Sequence, residues 1–179
     1  TREMSHYSGL APNEASLALI CGTGTLLPGG VRSLEQLLCQ SLTSVDNVTR
    51  VPSSRWENLS DELEGQGTGF GAMAHGVQLF DSMMFRVSSV EASSMDPAQR
   101  LLLEFGYEAL HSGAFNRASL EGEDVGVLLG VDKCDWMFAR PSSAATSVYT
   151  MSSAANNIAA GRTCYTLGMQ GPCVTYDTA

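Results

Sequence analysis

The chain has 179 residues, enough for one domain with its own core, and its 44% hydrophobic and 16% charged residues make a globular mixture, neither disordered nor fibrous. A formal net charge of −9 repels phosphate backbones and argues against nucleic acid as a partner. No apolar run approaches the ~20 residues of a membrane span, so none is expected.

Residues 1–16 read as a polar lead-in. They hold no basic cluster followed by an apolar stretch, so no secretory signal is visible. Leu17 to Gly24 is a compact apolar run ending in glycines and predicts a buried strand followed by a turn. Pro28-Gly29-Gly30 then breaks the chain. Ser33 and Gln36 fit a capping box, and Leu34, Leu37, Leu38 and Leu42 follow at helical spacing as one apolar face. Residues 43–79 show no sustained period and read as an excursion around the core, with Trp56, Phe70 and Phe80 as anchors.

Met95-Asp96-Pro97-Ala98-Gln99-Arg100-Leu101-Leu102-Leu103-Glu104 carries the strongest local signal. Asp96 caps, Pro97 suits the first helical position, Gln99 completes a box, and Gly113 sits where a C′ glycine closes a helix. The pattern predicts a helix from Pro97 to Ser112 that buries Ala98, Leu101, Leu102, Phe105, Ala109 and Leu110. Val125 to Val131 is short and β-branched, a second buried strand with helices on both faces. Residues 132–151 form a loop. Ser153 to Leu167 is a helix rich in small residues, ended by Gly171-Pro172, and Val174 to Asp177 is a third strand. This alternation predicts an α/β layered fold with a mainly parallel sheet.

Several motifs carry no chemistry on their own. Gly22-Thr23-Gly24 lacks the third glycine of a dinucleotide fingerprint, because position 27 is Leu27. His6, His75 and His111 have no nucleophile or carboxylate arranged around them, and His111 suits the last turn of its helix. Glu123, Asp124, Asp132 and Asp135 lack calcium-loop spacing. The cysteines Cys21, Cys39, Cys134, Cys164 and Cys173 are odd in number and never at CxxC spacing. That argues against a disulfide framework and a zinc site and points to a reducing compartment, with Cys21 and Cys39 as small core residues.

The helix motif from Met95 to Glu104, with Tyr107-Glu108-Ala109-Leu110 behind it, resembles the β-ketoacyl synthase domains of modular polyketide synthases. Phe80-Asp81, Phe85 and Val87-Ser88 are similar to the segment before that helix. Cys21-Gly22-Thr23-Gly24 through Pro28-Gly29-Gly30 looks like the family's opening strand and turn, and Pro52 with Arg55-Trp56 like its Pro-x-x-Arg-Trp. Ala160-Gly161-Arg162-Thr163-Cys164-Tyr165, Leu167-Gly168 and Gly171-Pro172 follow in the family's order, and Asp177-Thr178-Ala179 resembles the tripeptide before its nucleophilic cysteine. Three departures stand out. Cys173 replaces the usual Ser after Gly-Pro, Ser89 replaces a common Pro, and Gly71 to Gly76 has drifted.

The resemblance covers about Leu17 to the end. It implies an α/β fold, the N-terminal part of a thiolase-like αβαβα arrangement, with residues 17–179 belonging to a domain cut before its nucleophile. It implies an acyltransferase: a cysteine thiolate takes an acyl group from carrier-protein phosphopantetheine, and histidines assist decarboxylation of a malonyl-type extender before condensation. The nucleophile is expected directly after Ala179 and the histidines later, so no residue of this chain inherits their roles and the chain alone is expected to be inactive. Asp177, Thr178 and Ala179 would shape the bend holding the nucleophile, or merely satisfy amides at a strand end. Gly171, Pro172, Cys173, Val174, Thr175 and Tyr176 are the implied dimer interface, and Arg162 is expected to play a structural role. No bound cofactor or metal is implied. The implied partners are the remainder of the domain or a complementary chain, an acyl carrier protein, and a second copy or larger assembly. The location would be the cytoplasm or an organelle interior such as a plastid. Two alternatives stay open: a non-catalytic interaction subunit, and a thiolase-fold relative whose cysteine is replaced.

Overall fold

The computed structural model describes residues 18–53, 55, 69–132, 136, 149, 152–153 and 155–177. The lead-in, Leu17, Trp56, Cys134, Thr178, Ala179 and most of the 132–151 segment lie outside the described residues. The chain divides into two compact units, Gly24–Leu79 and Phe80–Ala179 joined by the residues up to Thr23.

In the first unit a 3-10 turn, Pro28–Gly30, is closed by a bridge between Leu27 and Val31. Gly29 and Gly30 both have φ +78, a conformation side chains with a Cβ resist. Helix α1, Leu34–Thr43, starts where Ser33 accepts from the Gln36 amide. The reciprocal bond of the expected box goes one residue earlier, from the Arg32 amide to Gln36 Oε1 at 2.7 Å. The expected apolar face exists as a stripe, but Leu34, Leu38 and Leu42 are exposed, Leu42 at 77%. Strands β1, Val48–Arg50, and β2, Phe70–Ala72, pair antiparallel, so the excursion contains a small sheet. Phe70, expected as an anchor, is largely exposed.

In the second unit residues 18–23 are not a strand, and Leu19 and Ile20 lie exposed. An apolar run becomes a strand only beside another one, and these residues meet a helix end instead. The Thr23 amide donates to Ser112 Oγ at 3.0 Å. A Cβ on Gly22 would fall 2.1 Å from the Ala109 carbonyl oxygen. Cys21 and Cys39 are exposed, not core residues.

Helix α2, Ser89–Ser94, is capped by Ser88, whose Oγ accepts from the Glu91 amide. Helix α3 runs Pro97–Ser112, the range expected from the sequence, with Asp96 accepting from the Ala98 amide at 2.7 Å. Its buried stripe differs from the expected one. Ala98 is exposed, while Gln99 and Leu103 are buried, Leu103 completely. Gln99 does not complete a capping box; its side chain has tertiary partners. Gly113 is the C-cap at φ −83, and Ala114 takes the left-handed position at φ 67. Helix α4, Arg117–Leu120, is a single turn with Asn116 and Ser119 in a reciprocal box.

Strands β3, Val127–Gly130, and β4, Cys173–Tyr176, pair in parallel, with Val127 opposite Cys173 and Gly130 opposite Tyr176. Helix α5, Asn156–Leu167, lies between them in sequence, and it is ended by Gly168 at φ 78, before the expected Gly171-Pro172. Burial alternates along β3, and Leu128 is 69% exposed. The expected helix cover on both faces is therefore wrong for the described residues: the face carrying Val127 packs inward and the face carrying Leu128 and Tyr176 stays open.

Two clusters form this unit's core. Leu120, Cys164, Leu167 and Met169 pack with Leu110, Phe115, Val125 and Val127. Phe85, Met95 and Leu103 pack with Phe80 and Val87. Tyr107 touches both clusters, meeting the Phe85 ring edge-on at 6.3 Å. Full burial of each such side chain contributes roughly 1.5–3 kcal/mol. Among the described residues no helix is long and apolar enough to cross a membrane.

Candidate functional site

Strand β4 leads directly into Asp177, and its placement is fixed at both ends. A Cβ on Gly171 would lie 2.4 Å from the Val125 backbone, so only glycine lets the two segments approach this closely. The Val127 amide donates to the Pro172 carbonyl at 2.8 Å, and the Val131 amide to the Tyr176 carbonyl at 3.0 Å. The Gln170 amide donates to Glu123, and Gly122 to Gly168, which tie the turn after α5 to the segment before β3. Cys173 and Thr175 share the face toward α5, Thr175 half-buried and Cys173 still exposed, and Val174 and Tyr176 share the other face. Thr175 Oγ1 is buried with no hydrogen-bond partner among the described residues. Asp177 is exposed.

Helix α5 is in turn fastened by buried polar groups. Arg162 pairs with Glu91 of α2, and both side chains are largely buried. Arg162 Nε donates to Gln99 Oε1 at 3.0 Å, and Gln99 Nε2 donates to the Ser152 and Ala155 carbonyls at 3.3 Å each. The Asp96 amide donates to the Ser153 carbonyl, Ser94 Oγ meets Ser153 Oγ at 3.0 Å, and Trp136 Nε1 donates to the Ser94 carbonyl. The corner between α2 and α3 therefore holds the start of α5, which supports β4.

The expected structural role of Arg162 is what the geometry gives. The network around it was missed, although one signal was present. A Gln four residues before Leu103 on the buried stripe must find partners inside. Burial holds the Arg100 guanidinium below its ordinary value, while Asp96 and Glu104 pull it back. His75 and His111 are exposed, and His111 leans on the Tyr107 ring at 6.1 Å. Gly22 packs closely against the end of α3. Among the described residues no three His, Cys, Asp or Glu side chains gather to hold a metal.

Cys164 on α5 and Cys173 on β4 lie with their sulfurs 2.8 Å apart. Cys164 is buried, and burial first, then its neighbour Cys173, pushes its thiol up to about 12. Cys173 is exposed.

A family model described as "Beta-ketoacyl synthase, N-terminal domain" matches residues 18–179. The chain is 38% identical over 181 residues to polyketide synthase GfsE of Streptomyces halstedii, covering 96% of this chain and 5% of that protein. It is 34% identical over 167 residues to a mycocerosic acid synthase-like polyketide synthase of Mycolicibacterium smegmatis, covering 89% of this chain and 8% of that one. Among solved structures, the oxazolomycin ketosynthase domain OzmH KS7 of Streptomyces albus superposes with TM-score 0.72 at 26% identity, over 89% of this chain and 29% of that one. The module 6 ketosynthase of the bacillaene synthase of Bacillus subtilis gives 0.69 at 24%, over 89% of this chain and 26% of that one. These likenesses give the thiolase-like α/β fold. The chain spans under a tenth of the length of these curated relatives.

Proposed function

The chain belongs to the β-ketoacyl synthase family, through that family's N-terminal domain, and from this premise we propose that the protein it forms part of condenses acyl thioesters with loss of carbon dioxide. The acyl and extender groups would be presented on the phosphopantetheine of an acyl carrier protein. In this reading residues 17–179 supply the scaffold for the acylated thiol. Strand β4 delivers it, Asp177, Thr178 and Ala179 shape the bend, and a cysteine following Ala179 is acylated. A sulfur at a strand-to-helix bend gains from the positive end of the helix dipole, which favours both thiolate and oxyanion. The observation that carries the reading is the seating of β4: it is held by β3 on one side and by α5 beneath, and its last residue precedes Asp177.

The same reading makes Gly171 to Tyr176 a pairing edge for a second copy. That edge has no strand beside it among the described residues other than β3. A reducing, cytoplasmic setting suits the free thiols. A second reading, a structural subunit of a larger assembly, draws on the open apolar face carrying Leu128, Val174 and Tyr176.

The test is acyl transfer. The full-length protein is mixed with an acyl carrier protein charged with a mass-tagged acyl group, then digested and mapped. An acyl adduct on the cysteine after Ala179 is the expected result. A protein that takes no acyl group but co-purifies in fixed ratio with a partner contacting β4 would refute condensation and favour the structural reading.

A further inference from the structure

We propose that Cys164 and Cys173 form a paired oxidation site, at which a hydroperoxide converts the two thiols into a disulfide tying the end of α5 to the first residue of β4. The two sulfurs are 2.8 Å apart, about 0.8 Å beyond the ~2.0 Å of a disulfide bond. Neither sits on a loop. Cys164 belongs to the last turn of α5 and is packed with Leu120, Leu167 and Met169. Cys173 opens β4 and stands opposite Val127. The left-handed turn at Gly168 and the close approach of Gly171 to Val125 hold the two elements side by side. Bond formation therefore needs a sub-ångström shift rather than a rearrangement.

The surroundings of the two thiols divide the labour. Cys173 is the exposed member of the pair and the one a peroxide meets first, whereas Cys164 is buried. Its thiolate attacks one peroxide oxygen, the O–O bond breaks, and Cys173 becomes a sulfenic acid as hydroxide leaves and is protonated to water. Cys164 is buried, and its thiol stays protonated at neutral pH. It is sheltered from the bulk oxidant and lies in contact with the Cys173 sulfur. Its sulfur then displaces the sulfenic oxygen, the S–S bond forms, and the oxygen leaves as water with the Cys164 proton. In sum two thiols and one hydrogen peroxide give one disulfide and two waters. The site does not depend on the condensation reading.

The test is peptide mapping of the full-length protein after treatment with hydrogen peroxide under native conditions, blocking with iodoacetamide and digestion with chymotrypsin. Cleavage after Tyr165 and Tyr176 separates the two cysteines from each other and from anything beyond β4. The expected product is a linked pair of peptides, one with Cys164 and one with Cys173, that reductant separates and that Cys173→Ser abolishes. In Cys164→Ser the expected product is a Cys173 sulfenic acid trapped by a dimedone probe. Full alkylation of both cysteines after peroxide, or linkage of Cys173 to any other cysteine, overturns the proposal.

Discussion

Arg162 of α5 and Glu91 of α2 meet as a largely buried ion pair across 71 residues of sequence. Gln99 completes the arrangement by accepting from Arg162 Nε while donating to two carbonyls. A charge taken out of water is tolerated only when it is paired and its remaining protons are used.

Removing either partner should strand the other. Arg162→Leu leaves Glu91 buried without its cation, and a loss of about 3 kcal/mol is expected. Glu91→Gln keeps an acceptor and should cost less. Urea unfolding midpoints check the order, and equal stabilities for wild type and Arg162→Leu would contradict it.

Leu103 is completely buried between Phe85 and Met95, whereas Leu42 is 77% exposed. Leu103→Ala should cost roughly 2–5 kcal/mol through lost contact and a residual cavity. Leu42→Ala should move stability by under about 0.5 kcal/mol. The same unfolding measurement separates the two.

Gly171→Ala places a methyl 2.4 Å from the Val125 backbone, which neither of the segments leading into β3 and β4 can yield without shifting. The expected effect is on β4 in particular. Hydrogen exchange at the Val127 and Val131 amides, which donate to Pro172 and Tyr176, should accelerate by about tenfold or more, corresponding to a loss of ~1.4 kcal/mol in local opening. Amides inside α3 should keep their protection.

Cys164 gives a pH dependence of known sign. Its thiol rises from the ordinary 9.0 to about 12 in the fold, chiefly by burial. Between those values the unfolded chain has released this proton and the folded one has kept it. Its stabilising contribution is therefore whole below about pH 9 and is lost as pH climbs toward 12, at up to ~1.4 kcal/mol per pH unit. Cys164→Ala should fall less steeply than wild type over that window in alkaline unfolding series.

Local signals in the sequence were strong where the chain decides its own conformation. Asp96 and Pro97 start α3 at the expected residue, and Ser33 caps α1. They failed where tertiary neighbours decide. The run before Gly22 reads as a strand from its apolar residues alone, yet it meets the end of α3, where no ladder is offered. The buried stripe of α3 passes through Leu103, which the expected face leaves out, and through Gln99, which hydrophobicity ranks wrongly because it is buried by its partners and not by its own character. At the candidate site, β4 and the structural role of Arg162 were legible. The meeting of Cys164 with Cys173 was not, since it depends on how α5 turns into β4.

The parallel pairing of β3 with β4 has a consequence for synthesis of the chain. The two strands are separated by the whole of α5, so β3 leaves the ribosome long before its partner exists. Helical contacts close over short distances and form early, while this strand pairing waits for a long loop to close. During that interval the Leu128 and Leu129 backbone offers an unprotected edge, and a nascent chain stalled before Cys173 would be the form most in need of a chaperone.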